Sequence, residues 1–164
     1  MKIKLIVLLL FISILSPVYA GTFAEQVGDL TAPTIGIAAI LPACGGSDGL
    51  ATAARRVDGV LVALALTDLL KNTIHEARPD RSDNESFPSG HTAAAFAIAS
   101  VLSEEHPKQK WFFLGLAALV GWSRVESDKH HWRDVLAGAA IGFTCGRWSV
   151  ESDRGILIGR IYRW

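Results

Sequence analysis

The chain has little cysteine, no excess charge of either sign and no long uninterrupted apolar run after its first twenty residues. Two cysteines, Cys44 and Cys145, in 164 residues supply neither a disulfide framework nor a four-sulfur zinc site. Sixteen Lys and Arg balance sixteen Asp and Glu, so there is no electrostatic footprint for nucleic acid. None of the later apolar stretches reaches the roughly 18 consecutive apolar residues that mark a spanning helix. Internal repeats and low-complexity tracts are missing as well. With 50% hydrophobic residues, the chain is also not of the disordered class, and one compact domain is the expectation.

What is present begins with an export pattern. Lys2 and Lys4 precede an apolar run from Leu5 to Leu15, and Val18-Tyr19-Ala20 ends in a small residue suited to cleavage. Residues 1–20 therefore read as a signal peptide and residues 21–164 as a single mature domain. Loss of Lys2 and Lys4 would leave 14 basic against 16 acidic residues, a slightly acidic protein. The expected location is the cell envelope, with the site facing the periplasmic side. An uncleaved membrane anchor is the alternative reading of the same segment.

Apolar stretches recur at Pro33 to Ala43, Val57 to Leu70, Thr92 to Leu102, Trp111 to Trp122 and Val135 to Cys145. They are rich in Ala and Leu and lack period-two alternation, and polar segments such as Arg78 to Ser86 and Glu104 to Lys110 separate them. With a further helix near Thr22 to Leu30, the pattern predicts an all-α compact bundle of about six helices, its active site built from helix ends and loops. Helices apolar on most faces are either the interior of a helical bundle or short, tilted spans; membrane contact is the expectation, and Trp111, Trp122 and Trp132 fit either an interface belt or packing. The tail from Ser149 to Trp164 reads equally as a strand, a helix end or a docking arm, and pairing of Cys44 with Cys145 stays open.

Three polar clusters lie at helix ends. In the first, Lys71 closes an apolar helix, and Pro79 drives Arg78 into extended geometry, so two cations can face one oxyanion. A lysine at a helix C-terminus is also simply favourable with the dipole. In the second, Pro88-Ser89-Gly90-His91 leads directly into a helix. Ser89 can cap it, Gly90 lets a ligand approach the main chain, and the free amides form an anion site with His91 at its mouth. The ordinary alternative is a Ser-capped helix with a bystander histidine. In the third, Ser123-Arg124 is followed by His130 and, four positions on, Asp134. That spacing allows a carboxylate to orient an imidazole beside a planar guanidinium suited to phosphate. A surface ion pair is the ordinary alternative. His131 reads as a rim or structural residue.

Taken together, the clusters supply cations, an amide nest, two histidines and a carboxylate, the inventory of phosphoryl transfer through a covalent histidine. Lys71-Asn-Thr-Ile-His-Glu-Ala-Arg78-Pro79, Pro88-Ser89-Gly90-His91 and the segment from Ser123-Arg124 to His130 and Asp134 resemble the three ordered motifs of the type 2 phosphatidic acid phosphatase superfamily, which also includes bacterial acid phosphatases and vanadium haloperoxidases. The resemblance runs from Lys71 to about Gly142. It implies that His130 is the nucleophile, that Asp134 orients it, and that His91 is the general acid and then the base. It further implies that Lys71, Arg78, Ser89, Gly90 and Arg124 bind the phosphate, with no metal and no cofactor. The implied substrate is a phosphorylated lipid or a small phosphoester: a phosphatidate, a phosphatidylglycerol phosphate or a polyprenyl diphosphate. A vanadate-dependent, haloperoxidase-like oxidase and a non-catalytic envelope protein that binds anionic lipid are the alternatives.

Overall fold

The computed structural model describes residues 47–152, together with Ala24 and Val27. Helix α1 spans Ser47–Ile74, α2 Gly90–Glu105, α3 Lys110–Glu126 and α4 Trp132–Glu151, and a 3-10 turn, Pro107–Gln109, joins α2 to α3. No strand occurs among the described residues. The all-α class thus holds for the part described. Four helices stand there against the six or so expected of the whole chain. The signal segment, the stretch at Pro33 to Ala43, Cys44 and the tail beyond Ser152 lie outside the described residues. Of the helix expected at Thr22 to Leu30, only Ala24 and Val27 are described, and both are helical.

The helices run past the apolar stretches that predicted them. Arg55, Arg56 and Asp58 interrupt the apolar pattern of α1, yet the helix continues through them. Arg56 and Asp58 are buried, and Arg56 forms an ion pair with Glu105 at the end of α2. α1 ends at His75, whose left-handed φ of 50° and amide bond to the Lys71 carbonyl, 3.2 Å, close the last turn in a conformation that usually selects glycine.

α2 is the central helix and packs on all three others. Its residues from Thr92 to Ala95 and from Ala97 to Val101 are buried, and alanine at most of these positions combines high helix propensity with a thin surface that neighbours can approach closely. On one side Val60 and Ala63 of α1 and Cys145 of α4 join Ala93, Ala94, Ala97 and Ile98 in one core cluster. On the other, Ala117 of α3 meets Ala95 and Ala99, flanked by Phe96, Phe113 and Val120. Cys145 is buried, with no disulfide partner among the described residues.

The closest helix contact is α4 on α2. Gly138, Gly142 and Gly146 recur every fourth residue, and a Cβ on them would stand 2.4 Å from the Ser89 carbonyl oxygen, 2.0 Å from that of Ala93 and 2.0 Å from Ser100 Oγ. Only glycine permits this approach. It fixes the start of α4 against the start of α2, where two of the three polar clusters lie.

Large apolar side chains remain on the outside. Trp111 is 81% exposed, Leu136 66% and Leu69 64%, and Trp132 and Trp148 are exposed too, whereas Trp122 is half-buried. Among the described residues no helix is long and apolar enough to cross a membrane.

Candidate active site

The site forms where the 75–89 linker and the 127–131 loop cross at one end of the bundle. Backbone bonds tie the linker to this loop and to the start of α4: the Asp80 amide donates to the Asp128 carbonyl, 3.1 Å, and the Ser89 amide to the Asp134 carbonyl, 3.0 Å. Lys129 pairs with Asp80 across the same seam, and Arg133 with Glu76.

His130 lies just before α4, in the loop rather than in the helix, and is 2% exposed. Its amide donates to the Arg124 carbonyl, 3.0 Å, which folds the loop back onto the last turn of α3. Its Nδ1 lies 2.7 Å from the Ser86 carbonyl oxygen. A carbonyl only accepts, so Nδ1 carries the proton and Nε2 holds the lone pair. Burial, and then the positive charges of Arg78, Lys71 and Arg124, lower its pKa to about 4, against the pull of the Ser86 carbonyl. The ring is therefore neutral near pH 7. The three predicted cations all contribute to that lowering.

Asp134 sits in the first turn of α4, fully buried. Its Oδ2 accepts from the Ser86 hydroxyl and from the His131 amide, the latter at 2.8 Å, and lies 3.9 Å from His130 Nδ1. That distance is an electrostatic contact and not a hydrogen bond. His131 is the residue that caps α4, a structural position.

The cations are held individually. Lys71, in the last turn of α1, donates to the Glu85 carbonyl. Burial, and then the neighbouring Arg78, lower its pKa. Arg78 Nε donates to Asp83 Oδ1 at 2.6 Å, and its amide donates to the Asp83 carbonyl at 3.0 Å. Asp83 is held below the usual carboxylate range chiefly by that guanidinium. Arg124, in the last turn of α3, is 8% exposed.

Ser89 is the N-cap residue of α2, but its hydroxyl pairs with Thr92 Oγ1 at 2.9 Å and makes no side-chain cap. The capping geometry expected of it is thus realised only in the backbone. A Cβ on Gly90 would meet nothing closer than Thr67 Oγ1 at 3.7 Å, so packing does not require glycine there. The first amides of α2 lack intrahelical acceptors by helix geometry. His91, the next residue, is exposed. Among the described residues no group of three or more His, Cys, Asp or Glu is placed to hold a metal ion.

Sequence reasoning passed over Ser86, which contacts both His130 and Asp134. The one signal for it was a serine two residues ahead of the Pro88-Ser89-Gly90-His91 motif.

A model of the PAP2 superfamily matches residues 57–154, which include all three clusters. A lipid A 1-phosphatase of Porphyromonas gingivalis is 38% identical over 80 residues, 46% of this chain and 18% of that protein. Lipid phosphate phosphatase 2 of Arabidopsis thaliana is 30% identical, over 52% of this chain and 44% of its own length. The match thus spans less than half the length of these curated relatives. The crystal structure of Aquifex aeolicus LpxE superposes with a TM-score of 0.60 at 26% identity, over 79% of this chain and 84% of that one. On these grounds the chain belongs to the PAP2 superfamily, the type 2 phosphatidic acid phosphatase-like proteins.

Proposed function

We propose that the protein is a phosphatase acting on a lipid phosphate, a monoester or diphosphate, through a phosphohistidine at His130. The observation that carries this reading is the setting of that imidazole: buried, with Nδ1–H engaged by the Ser86 carbonyl and with Arg78, Lys71 and Arg124 helping to hold its pKa down. A neutral ring presents its Nε2 lone pair to phosphorus, and the cations offset the charge on the three equatorial oxygens.

His130 Nε2 forms the P–N bond as the P–O bond to the leaving group breaks, and His91 gives its proton to the departing oxygen. Water then attacks phosphorus while His91 takes a proton from it, and the P–N bond breaks to release inorganic phosphate. Lys71, Arg78 and Arg124 bind the phosphoryl oxygens together with the Ser89 hydroxyl and the Gly90 amide. Asp134 supports the positive charge that develops on the ring at 3.9 Å. No metal enters this sequence of steps.

Two features support a lipid substrate. The relatives are named for lipid A and lipid phosphates, and large apolar side chains, including Trp132 and Leu136 in the first turns of α4 beside the site, face outward. Contact with a bilayer surface, and export by residues 1–20 to the periplasmic side of the envelope, belong to the same proposal.

The test is phosphate release from phosphatidate in detergent and from a soluble chromogenic phosphomonoester, by wild type and His130→Ala, with a chelator present and vanadate as inhibitor. Turnover that survives the chelator, is blocked by vanadate and vanishes in His130→Ala supports the reading, and preference for phosphatidate supports the lipid assignment. Turnover that needs added metal, or that persists in His130→Ala, would refute it.

A further inference from the structure

The carboxylate expected to orient His130 does not bond to it. Asp134 Oδ2 stands 3.9 Å from Nδ1, too far for a hydrogen bond. Ser86 lies between them in the bonding network and uses every polar group it has. Its amide donates to the Glu76 carbonyl at 2.8 Å, its hydroxyl donates to Asp134 Oδ2, and its carbonyl oxygen accepts from His130 Nδ1 at 2.7 Å. The residue is fully buried, so water does not compete for these bonds.

We propose that Ser86 is the positioning residue of the nucleophile, and that Asp134 orients His130 through Ser86 rather than by direct contact. The carboxylate anchors the serine side chain, and the amide bond to Glu76 anchors its backbone. Those two attachments aim the carbonyl at Nδ1. The carbonyl then selects the tautomer with the proton on Nδ1 and keeps Nε2 directed at phosphorus. Asp134 also accepts from the His131 amide at 2.8 Å, so one carboxylate oxygen fixes the linker before α2 and the loop before α4 relative to each other. The inference rests on the phosphatase reading for its kinetic consequence, and its tautomer consequence is independent of that reading.

The test is a double-mutant cycle of Ser86→Ala and Asp134→Ala, read as kcat and KM on the soluble phosphomonoester. Nitrogen-15 NMR of His130 in the same proteins reports the tautomer, and circular dichroism confirms that each is folded. Asp134→Ala removes the acceptor of the Ser86 hydroxyl together with the charge, so it takes away the anchor through which Ser86 acts. The expected result is a fall in kcat of about 10- to 100-fold for Ser86→Ala with KM within about twofold. The double variant should lose no more than the worse single variant, because the two residues act as one unit. The His130 signals should report the Nδ1–H form in wild type and a mixed population in Ser86→Ala.

A folded Ser86→Ala protein with wild-type kcat and an intact Nδ1–H signal would overturn the proposal, since Asp134 would then be orienting the ring directly. Losses that multiply in the double variant would also overturn it. If wild type itself has no phosphatase turnover, the phosphatase reading fails, and the NMR comparison alone still decides the role of Ser86. A Ser86→Ala protein that does not fold is replaced by Ser86→Cys, which keeps a weak donor in the same volume and should fall between wild type and the expected alanine loss. Wild-type kcat and tautomer in that variant would count against the proposal.

Discussion

Gly142→Ala tests the geometry that brings the site together. The added Cβ would stand 2.0 Å from the Ala93 carbonyl oxygen, 2.8 Å from its carbon and 3.0 Å from its Cα. All three are backbone atoms of the central helix, so no side chain can swing aside and α4 must move off α2 by about 1 Å. Overpacking of this kind costs about 1–3 kcal/mol, and a backbone obstacle puts it near the upper end. The better helix propensity of alanine returns up to about 1 kcal/mol. The net loss is about 2 kcal/mol, which lowers Tm by roughly 4–8 °C for a chain of this size. Gly115→Ala is the control: an added Cβ has nothing within 4 Å on this exposed position of α3, so it should stabilise by about 0.5–1 kcal/mol. Thermal and urea unfolding of both variants measure the two signs. A Gly142→Ala protein as stable as wild type would mean that α2 and α4 do not approach so closely, and the placement of Ser89 beside Asp134 would fall with that contact.

Further predictions concern the charges. The folded-state pKa of His130, about 4 against an ordinary 6.5, means the unfolded chain binds more protons in that window. Stability is then full above pH 6.5 and falls by about 3 kcal/mol as pH drops through about 4. Urea midpoints from pH 7 to 4 should show this slope in wild type and a shallower one in His130→Gln, and equal slopes would contradict the depressed pKa. Arg124→Ala should lower kcat about 10²- to 10³-fold, as removal of one transition-state donor does, whereas Arg81→Ala, exposed in the linker, should leave it unchanged. Equal effects of the two on kcat would place Arg124 outside the phosphate site.

Much of the fold and of the cation set can be read locally, because an apolar helix and a motif of fixed spacing are both short-range patterns. Lys71, Arg78 and Arg124 are recognisable one by one, and each lowers the pKa of His130 in the folded chain. What cannot be read is whatever depends on a partner far along the chain. α1 runs through Arg56 because Glu105, 49 residues away, neutralises it, and a hydropathy pattern stops there instead. Ser89 looks like an ordinary helix cap, yet its hydroxyl pairs with Thr92 Oγ1 and its amide reaches the Asp134 carbonyl, a partner far along the chain. Ser86 is one of many polar residues in a charged linker. Its bonds reach 44 and 48 residues ahead, and only the folded chain distinguishes it from its neighbours.

The central claim is a phosphoryl group carried on His130, and trapping it is the most direct test. Wild type is mixed briefly with a substrate labelled at phosphorus, quenched in alkali, and the protein-bound label is assayed for acid lability and located by mass spectrometry. The account predicts a base-stable, acid-labile label on the peptide that contains His130, absent from His130→Ala. Steady turnover with no protein-bound label at any quench time, or a label on another residue, would contradict it.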